Sequence, residues 1–343
     1  MNPREALAMV SAGGALDRSQ SCELFTSALD PGADPVVVAG LLTAMAQRGE
    51  TVAEIAGAVD ALRAAMIPFD HQEPGAIDTA GTGGDGLGTF NLSTAAALVA
   101  AAAGAKVVKH GNRSVSSRCG SADLVEAAGV VLELPPDAAA QVLAEVGITF
   151  LFAPLYHPVM RFVAPVRRTL GVRTIFNFLG PLCNPGRVRR QLLGVCTRER
   201  VADFAAVLRE LGHERALVVH GGGGADEFTL LDGAEIATVG EVPDNGFDPA
   251  GLGLQAAPLR ALAGGAGAPD NLRILRAVLN GSRGPLRDAT CLNAAAALVV
   301  AEVASSAAEG VQLARDAIDT GAAAAKLKAW VRASVRAAEK VAV

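Results

Sequence analysis

The sequence predicts an α/β protein in which a small all-helical N-terminal domain precedes a larger α/β domain with a mainly parallel central sheet. Three observations carry this. The first seventy residues bear helical signals throughout; from about residue 75, short β-branched runs alternate with alanine-rich stretches. A loop with five glycines, residues 78–94, also runs straight into an alanine-rich helical stretch. At 343 residues the chain is long for one simple domain, so two lobes are the default.

In the helical part, Asp34 followed by Pro35 reads as an N-cap with proline at the first helical position, and Gly49 ends that helix. Thr51 and Glu54 form a capping box, after which Ile55, Val59, Leu62 and Met66 make one apolar stripe, a core or subunit-interface signal. The β-branched runs fall at 105–109, 129–134, 148–152, 191–195 and 216–220. Residues 157–190 are proline-punctuated and basic and read as a segment crossing back to the helical lobe; from Cys291 on the pattern is helical again. The expected division is 1–72 helical, joined by a returning segment near 165–190, with 73–164 and 191–343 forming the α/β domain.

About half the residues are apolar and the net charge is −5, which fits neither a disordered chain nor a body built to coat nucleic acid. The longest apolar runs, 95–105 and 294–301, fall short of the roughly 18 residues a membrane span needs. A cytoplasmic protein without nucleic-acid or membrane partners is expected. The five cysteines are scattered and form no C-x-x-C, against a disulfide frame, zinc site or redox pair.

DTAGTGGDGLGTFNLST, residues 78–94, carries the strongest chemical signal. Glycines let backbone N–H groups close on an anion, and the helix N-terminus adds unpaired donors; Ser93 and Thr94 stand where caps are expected. A Walker A loop is excluded because Gly86 is followed by Leu87 and Gly88 rather than lysine. The Gly81, Gly83, Gly86 spacing matches a dinucleotide fingerprint, but the acidic residue expected about 20 positions on is absent. Lys106, Lys109, His110, Arg113 and Arg118 occupy that interval instead, a basic supply for several phosphates. An ordinary glycine-rich turn before a buried helix stays open for this segment alone.

KHGNRSVSSRCGSAD, residues 109–123, opens another helix at Ser121 and offers charge-assisted and neutral donors to phosphate, or forms a solvated loop. Asp226 and Glu227 follow HGGGGA; adjacent carboxylates suit Mg²⁺, though an acidic pair in a turn is commonly solvated. Arg161, Arg167, Arg168 and Arg173, amid apolar residues at 150–185, could hold a planar acid, with water-facing arginines as the alternative. No Gly-x-Ser-x-Gly or His-Glu-x-x-His supports hydrolase chemistry.

Together, GTGGD, NLST, KHGNRSVSS with GSAD, HPVM with PVRRTLGVRTIFNFLGPLCNP, and the Asp-Glu pair resemble anthranilate phosphoribosyltransferases over nearly the whole chain. The resemblance implies a nucleoside phosphorylase/phosphoribosyltransferase-like fold, a homodimer formed through the helical domain, and a reaction of tryptophan biosynthesis. Anthranilate and phosphoribosyl pyrophosphate (PRPP) would be the substrates, with two Mg²⁺ ions per active site and no dedicated acid or base. Carried over by motif, PRPP falls on Gly81, Gly84, Asp85, Thr89, Asn91, Leu92, Ser93 and Thr94, on Lys109, His110, Gly111, Asn112, Arg113, Ser114, Val115, Ser116 and Ser117, and on Ser121. Metal falls on Ser93, Asp226 and Glu227; anthranilate falls on Gly81, Asn112, His157 and Arg167. The sequence departs from the family at Arg118 and Cys119, at LDPGAD near residue 30, and at GGGGA before Asp226, where a loosened metal-presenting loop is expected. A pyrimidine nucleoside phosphorylase of related fold fits the KHGNR loop and the arginine-rich segment less well. A non-catalytic nucleic-acid-binding relative would call for a strongly basic groove.

Overall fold

The computed structural model describes residues 2–114 and 118–341. The chain opens with helices α1 (Pro3–Ser11), α2 (Arg18–Ala28), α3 (Pro35–Arg48) and α4 (Val52–Ala65). Their starts are chemically fixed. Asp34 accepts from the Val36 N–H at 2.9 Å, and the capping box closes with Glu54 N–H on Thr51 Oγ1 at 3.2 Å and Thr51 N–H on Glu54 Oε2 at 2.8 Å. Ile55, Val59, Leu62 and Met66 are all buried, and α2 packs on α4, α1 on α3.

The second part runs β1 (Ile77–Gly81), α5 (Leu92–Ala102), β2 (Val107–Gly111), α6 (Ser121–Ala127), α7 (Pro136–Val146), β3 (Ile148–Phe152), α8 (Ala153–Tyr156), α9 (Met160–Leu170), α10 (Leu179–Leu182), β4 (Arg190–Gly194), α11 (Val201–Glu210), β5 (Arg215–His220) and β6 (Glu235–Val239). It closes with α12 (Ala268–Leu279), α13 (Pro285–Val300), α14 (Ala307–Asp319) and α15 (Ala322–Val341). The six strands lie in the order β3-β2-β1-β4-β5-β6, parallel except for β6. Alternation along the strands serves two cores. Leu192, Leu217 and Val219 face the cluster built with α5, α13, α14 and α15, whereas Leu193, Ala216 and Val218 face one shared with α11 and the helical domain. The segment after β3 sends α9 back to pack on α3. No helix among the described residues is long and apolar enough to cross a membrane.

Two strand readings differ from the sequence pattern. Residues 130–135 form no strand; the Val131 N–H bonds Ser334 Oγ of α15 at 3.1 Å, and Pro135 and Pro136 turn the chain into α7. β1 and β6 had no sequence signal: β1 is the five-residue IDTAG, which merges into the glycine loop.

Candidate active site

The strand order reverses direction at β1 and β4, and in open α/β sheets the crevice beyond the carboxyl ends at such a point is where ligands bind. The glycine loop leaves β1 there. Its geometry depends on glycine at two paired positions, Gly81 and Gly194: a Cβ on either would run into Asp226, which crosses directly over both strand ends. Asp226 Oδ2 then accepts the Gly83 N–H at 2.6 Å. A further wall comes from residues 262–265, since Thr89 bridges Ala263 and the Gly264 N–H bonds the Gly88 carbonyl at 2.9 Å. Nothing in the sequence pattern marked that wall.

At the end of the loop α5 begins at Leu92, with its N-cap at Asn91, two residues earlier than a cap at Ser93 would place it. Asn91 is the N-cap residue, yet its amide donates to the Cys119 carbonyl at 2.9 Å, so no side chain caps α5. Ser93 and Thr94 stand in the first turn instead. Thr94 Oγ1 is buried without a partner, and Leu92 is fully buried, so only its backbone can meet a ligand. An uncapped N-terminus beside the unpartnered Thr94 hydroxyl is an anion-binding arrangement.

The carboxylates lie at the same end. Burial raises Asp226, with the neighbouring Asp85 carboxylate adding to it; burial also raises Glu227, with Asp226 adding to it. Asp85 Oδ2 and Glu227 Oε1 are buried with no hydrogen-bond partner. No group of three or more His, Cys, Asp or Glu among the described residues forms a ready-made metal cage. Orphaned hard oxygens in an incomplete shell fit a cation such as Mg²⁺, which keeps waters and shares substrate phosphates. The GGGGA turn is not loose: the Gly221 N–H bonds the Ala225 carbonyl at 2.8 Å, Gly224 bonds Gly221 at 3.1 Å, and Thr229 Oγ1 ties Gly222 at 2.9 Å.

The basic loop differs from its sequence image. Lys109 is only 2 % exposed; its ammonium bonds the Thr79 carbonyl and sits 3.5 Å from Ser93 Oγ, beneath the glycine loop. It belongs to a buried network in which Asn184 Nδ2 reaches Asp78 Oδ2 at 2.8 Å and burial lifts the Asp78 carboxyl to about 6. His110 Nδ1 faces the Gly180 carbonyl at 3.0 Å. Arg113 is held by Glu126 at 2.6 Å and Asp123 at 3.3 Å. The Asn112 carbonyl accepts from the Ala122 N–H at 3.2 Å and Ser121 Oγ at 3.4 Å, with Gly111 packed against Ser121, and the Ser114 N–H goes to Asp123 at 3.1 Å. Val115, Ser116 and Ser117 lie outside the described residues.

Against the start of the same loop, His157 packs on His110 with ring centroids 5.0 Å apart. Burial depresses His110 to about 3 and His157 to about 4, so both rings are neutral near pH 7. Neither His157 nitrogen has a hydrogen-bond partner among the described residues. Arg167 lies over the Phe176 ring at 5.6 Å, partly buried, and makes no ion pair among the described residues, while Arg168 is exposed. Arg161 covers the Phe162 ring at 4.7 Å. Arg173 is not part of that group: it reaches the glycine loop.

A helical bundle joined to an α/β domain, with an uncapped helix N-terminus and a carboxylate pair at the sheet switch point, is the architecture of an enzyme that handles a phosphorylated substrate. Residues 4–66 match the helical bundle domain of the glycosyl transferase family and residues 73–324 its a/b domain. The chain belongs to the anthranilate phosphoribosyltransferase family. It is 52 % identical over 332 residues to the enzyme of Thermomicrobium roseum, covering 94 % of each chain. The Thermus thermophilus crystal structure matches with a TM-score of 0.88 at 44 % identity, covering 96 % of this chain and 99 % of that one. The Saccharomyces cerevisiae enzyme, solved in complex with PRPP and Mg, matches with a TM-score of 0.88 at 26 % identity, covering 97 % and 98 %.

Proposed function

We infer that this chain transfers the phosphoribosyl group of PRPP to the amine of anthranilate, giving N-(5-phosphoribosyl)anthranilate and pyrophosphate in tryptophan biosynthesis. The observation that carries this reading is the meeting, over Gly81 and Gly194, of an uncapped helix N-terminus with two buried, under-satisfied carboxylates. An anion cradle and hard-oxygen ligands in one place suit a substrate that arrives as a magnesium polyphosphate.

PRPP is assigned to the glycine loop, the first turn of α5, the loop from Lys109 to Ser117 and Ser121, with Lys109 and Arg113 acting there through the loop's own scaffold, and two Mg²⁺ ions to Ser93, Asp226 and Glu227. Anthranilate is assigned to Gly81, Asn112, His157 and Arg167. Magnesium, when bound, supplies positive charge toward the departing pyrophosphate. The chain's own residues orient the two substrates and keep water out. The neutral His110 and His157 offer no competing cation, which leaves Arg167 to meet the carboxylate of anthranilate. No general base is required for attack, because the aromatic amine is already neutral at pH 7.

Homodimerisation through the helical domain is supported by the apolar groove lined by Val10, Val36, Gly40, Ala44 and Leu170, in which Val36 is 77 % exposed. A cytoplasmic location agrees with a biosynthetic role. The test is incubation with anthranilate and Mg²⁺, with and without PRPP, following anthranilate fluorescence. Loss that depends on PRPP is expected. Persistent fluorescence, with phosphorolysis of a pyrimidine nucleoside in its place, would replace this reading by the phosphorylase one.

A further inference from the structure

The glycine loop is held from outside by Arg173, a residue that neither the phosphate nor the acceptor assignment uses. Its Nη1 donates to the Gly84 carbonyl at 2.9 Å and the Gly83 carbonyl at 3.3 Å, and its Nη2 lies 3.4 Å from the Gly83 carbonyl and 3.2 Å from Cys196 Sγ. The guanidinium rests 5.7 Å from the centroid of the Phe178 ring. That ring also carries Arg200 at 5.3 Å, and Arg200 is paired with Glu50 at 3.2 Å, just before α4. Two and three residues beyond Arg173, Ile175 and Phe176 are buried in the core that the helical domain shares with α11. A Cβ at Gly84, where φ is +78°, would strike this guanidinium.

In a trans peptide the carbonyl and the following N–H point in opposite directions. With the Gly83 and Gly84 carbonyls turned to Arg173, the N–H groups of Gly84 and Asp85 are turned away from it. The neighbouring donors are already used, Thr82 N–H by the Gly194 carbonyl at 2.9 Å and Gly83 N–H by Asp226. Those of Gly84 and Asp85 have no acceptor among the described residues. We propose that Arg173 is a positioning residue, which orients these two N–H groups as preformed donors for a phosphate oxygen of PRPP and anchors that geometry to the helical domain.

This rests on the transferase reading above, and the experiment separates the two. Equilibrium binding of PRPP with Mg²⁺, anthranilate omitted, is measured by calorimetry for the parent chain and for Arg173→Gln and Arg173→Lys, alongside kcat and melting temperature. Parental binding of PRPP is the control; if it is missing, the function reading fails and the clamp is not what failed. The expected result is at least about fivefold weaker PRPP binding for Arg173→Gln, the scale of one well-placed charge-assisted hydrogen bond. Arg173→Lys, which keeps one donor and loses the fork, falls between. Saturated turnover should stay within about threefold and the KM for anthranilate within about twofold, because the effect is on loop pre-organisation rather than on the reacting atoms. Unchanged PRPP affinity in Arg173→Gln would overturn the proposal. So would a loss of turnover and melting temperature at parental affinity, which would make Arg173 merely structural.

Discussion

The glycine loop after β1 and the basic loop after β2 leave neighbouring parallel strands, and each leads to a helix, yet they are held in different ways. The glycine loop is fixed through its backbone, against Asp226, Gly194, Leu262 and Arg173. The basic loop spends its charges on its own protein: Lys109 lies under Thr79, and Arg113 holds Glu126 and Asp123. Both segments read as phosphate binders in the sequence, but glycine spacing translates directly into backbone geometry whereas a basic residue counts as a cation only where folding leaves it unpaired.

The largest effect is expected at the carboxylates over the glycine loop. Asp226→Asn with Glu227→Gln is nearly isosteric, so the fold should survive while kcat at fixed magnesium falls by about 10²-fold or more, the scale on which charge stabilisation acts in such sites. Near-parental turnover would remove the metal from this pair and undo the distinction between the loops.

Lys109→Met comes next, and it asks whether the lysine serves substrate or scaffold. Removing the ammonium leaves Asp78 buried without its neighbouring charge, at a cost of about 3 kcal/mol in stability. The Asp78 carboxyl titrates at about 6 against an ordinary 3.8, so between those values the folded chain holds a proton that the unfolded chain has released. Its contribution to stability therefore falls as pH rises through that window. Without Lys109 the carboxyl climbs further, and denaturant midpoints across pH 4–8 should show the fall extending to higher pH than in the parent. A weakened PRPP affinity with parental stability at every pH would instead put the ammonium on the phosphates.

Much of the scaffold was legible because it is written in local chemistry. Asp34 with Pro35, and Thr51 with Glu54, start helices where the pattern says, and the parallel runs at 148–152, 191–195 and 216–220 coincide with β3, β4 and β5 to within a residue. What stayed hidden depends on partners far along the chain. Asn184 meeting Asp78, Arg173 meeting Gly84 and residues 262–265 closing over Thr89 have no local signal. The run at 129–134 has strand composition, but its neighbour is a helix. Asn91 is a proper cap residue whose side chain is diverted to Cys119.

Arg167 supplies the contrasting case of a basic residue that folding leaves without an ion pair. Burial lowers its pKa, which marks a guanidinium short of counter-charge rather than one serving a surface bridge. Arg167→Gln should raise the KM for anthranilate several-fold, reflecting roughly 1 to 3 kcal/mol of charge-assisted binding, and move the KM for PRPP much less. The exposed Arg168→Gln should be milder. Equal behaviour of the two, or damage confined to PRPP, would assign Arg167 to the phosphate side.

The smallest effect is expected at Arg113, and it tests the comparison most sharply because Arg113 and Lys109 read alike as phosphate contacts from their motif. Its guanidinium already makes two hydrogen bonds to Glu126, at 2.6 and 2.8 Å, and another to Asp123 at 3.3 Å. Any phosphate contact would have to replace bonds of similar kind, so the net gain on binding is small even if the side chain swings over. Arg113→Gln should change the KM for PRPP by less than about threefold and stability by less than about 1 kcal/mol, as for exposed ion pairs. Glu126→Gln, which removes the stronger of the guanidinium's two charged partners and leaves Asp123, should lower that KM slightly. If Arg113→Gln instead costs as much as Lys109→Met, the ion pairs with Glu126 and Asp123 belong to the ligand-free state alone, and the basic loop is a phosphate clamp that rearranges when PRPP binds.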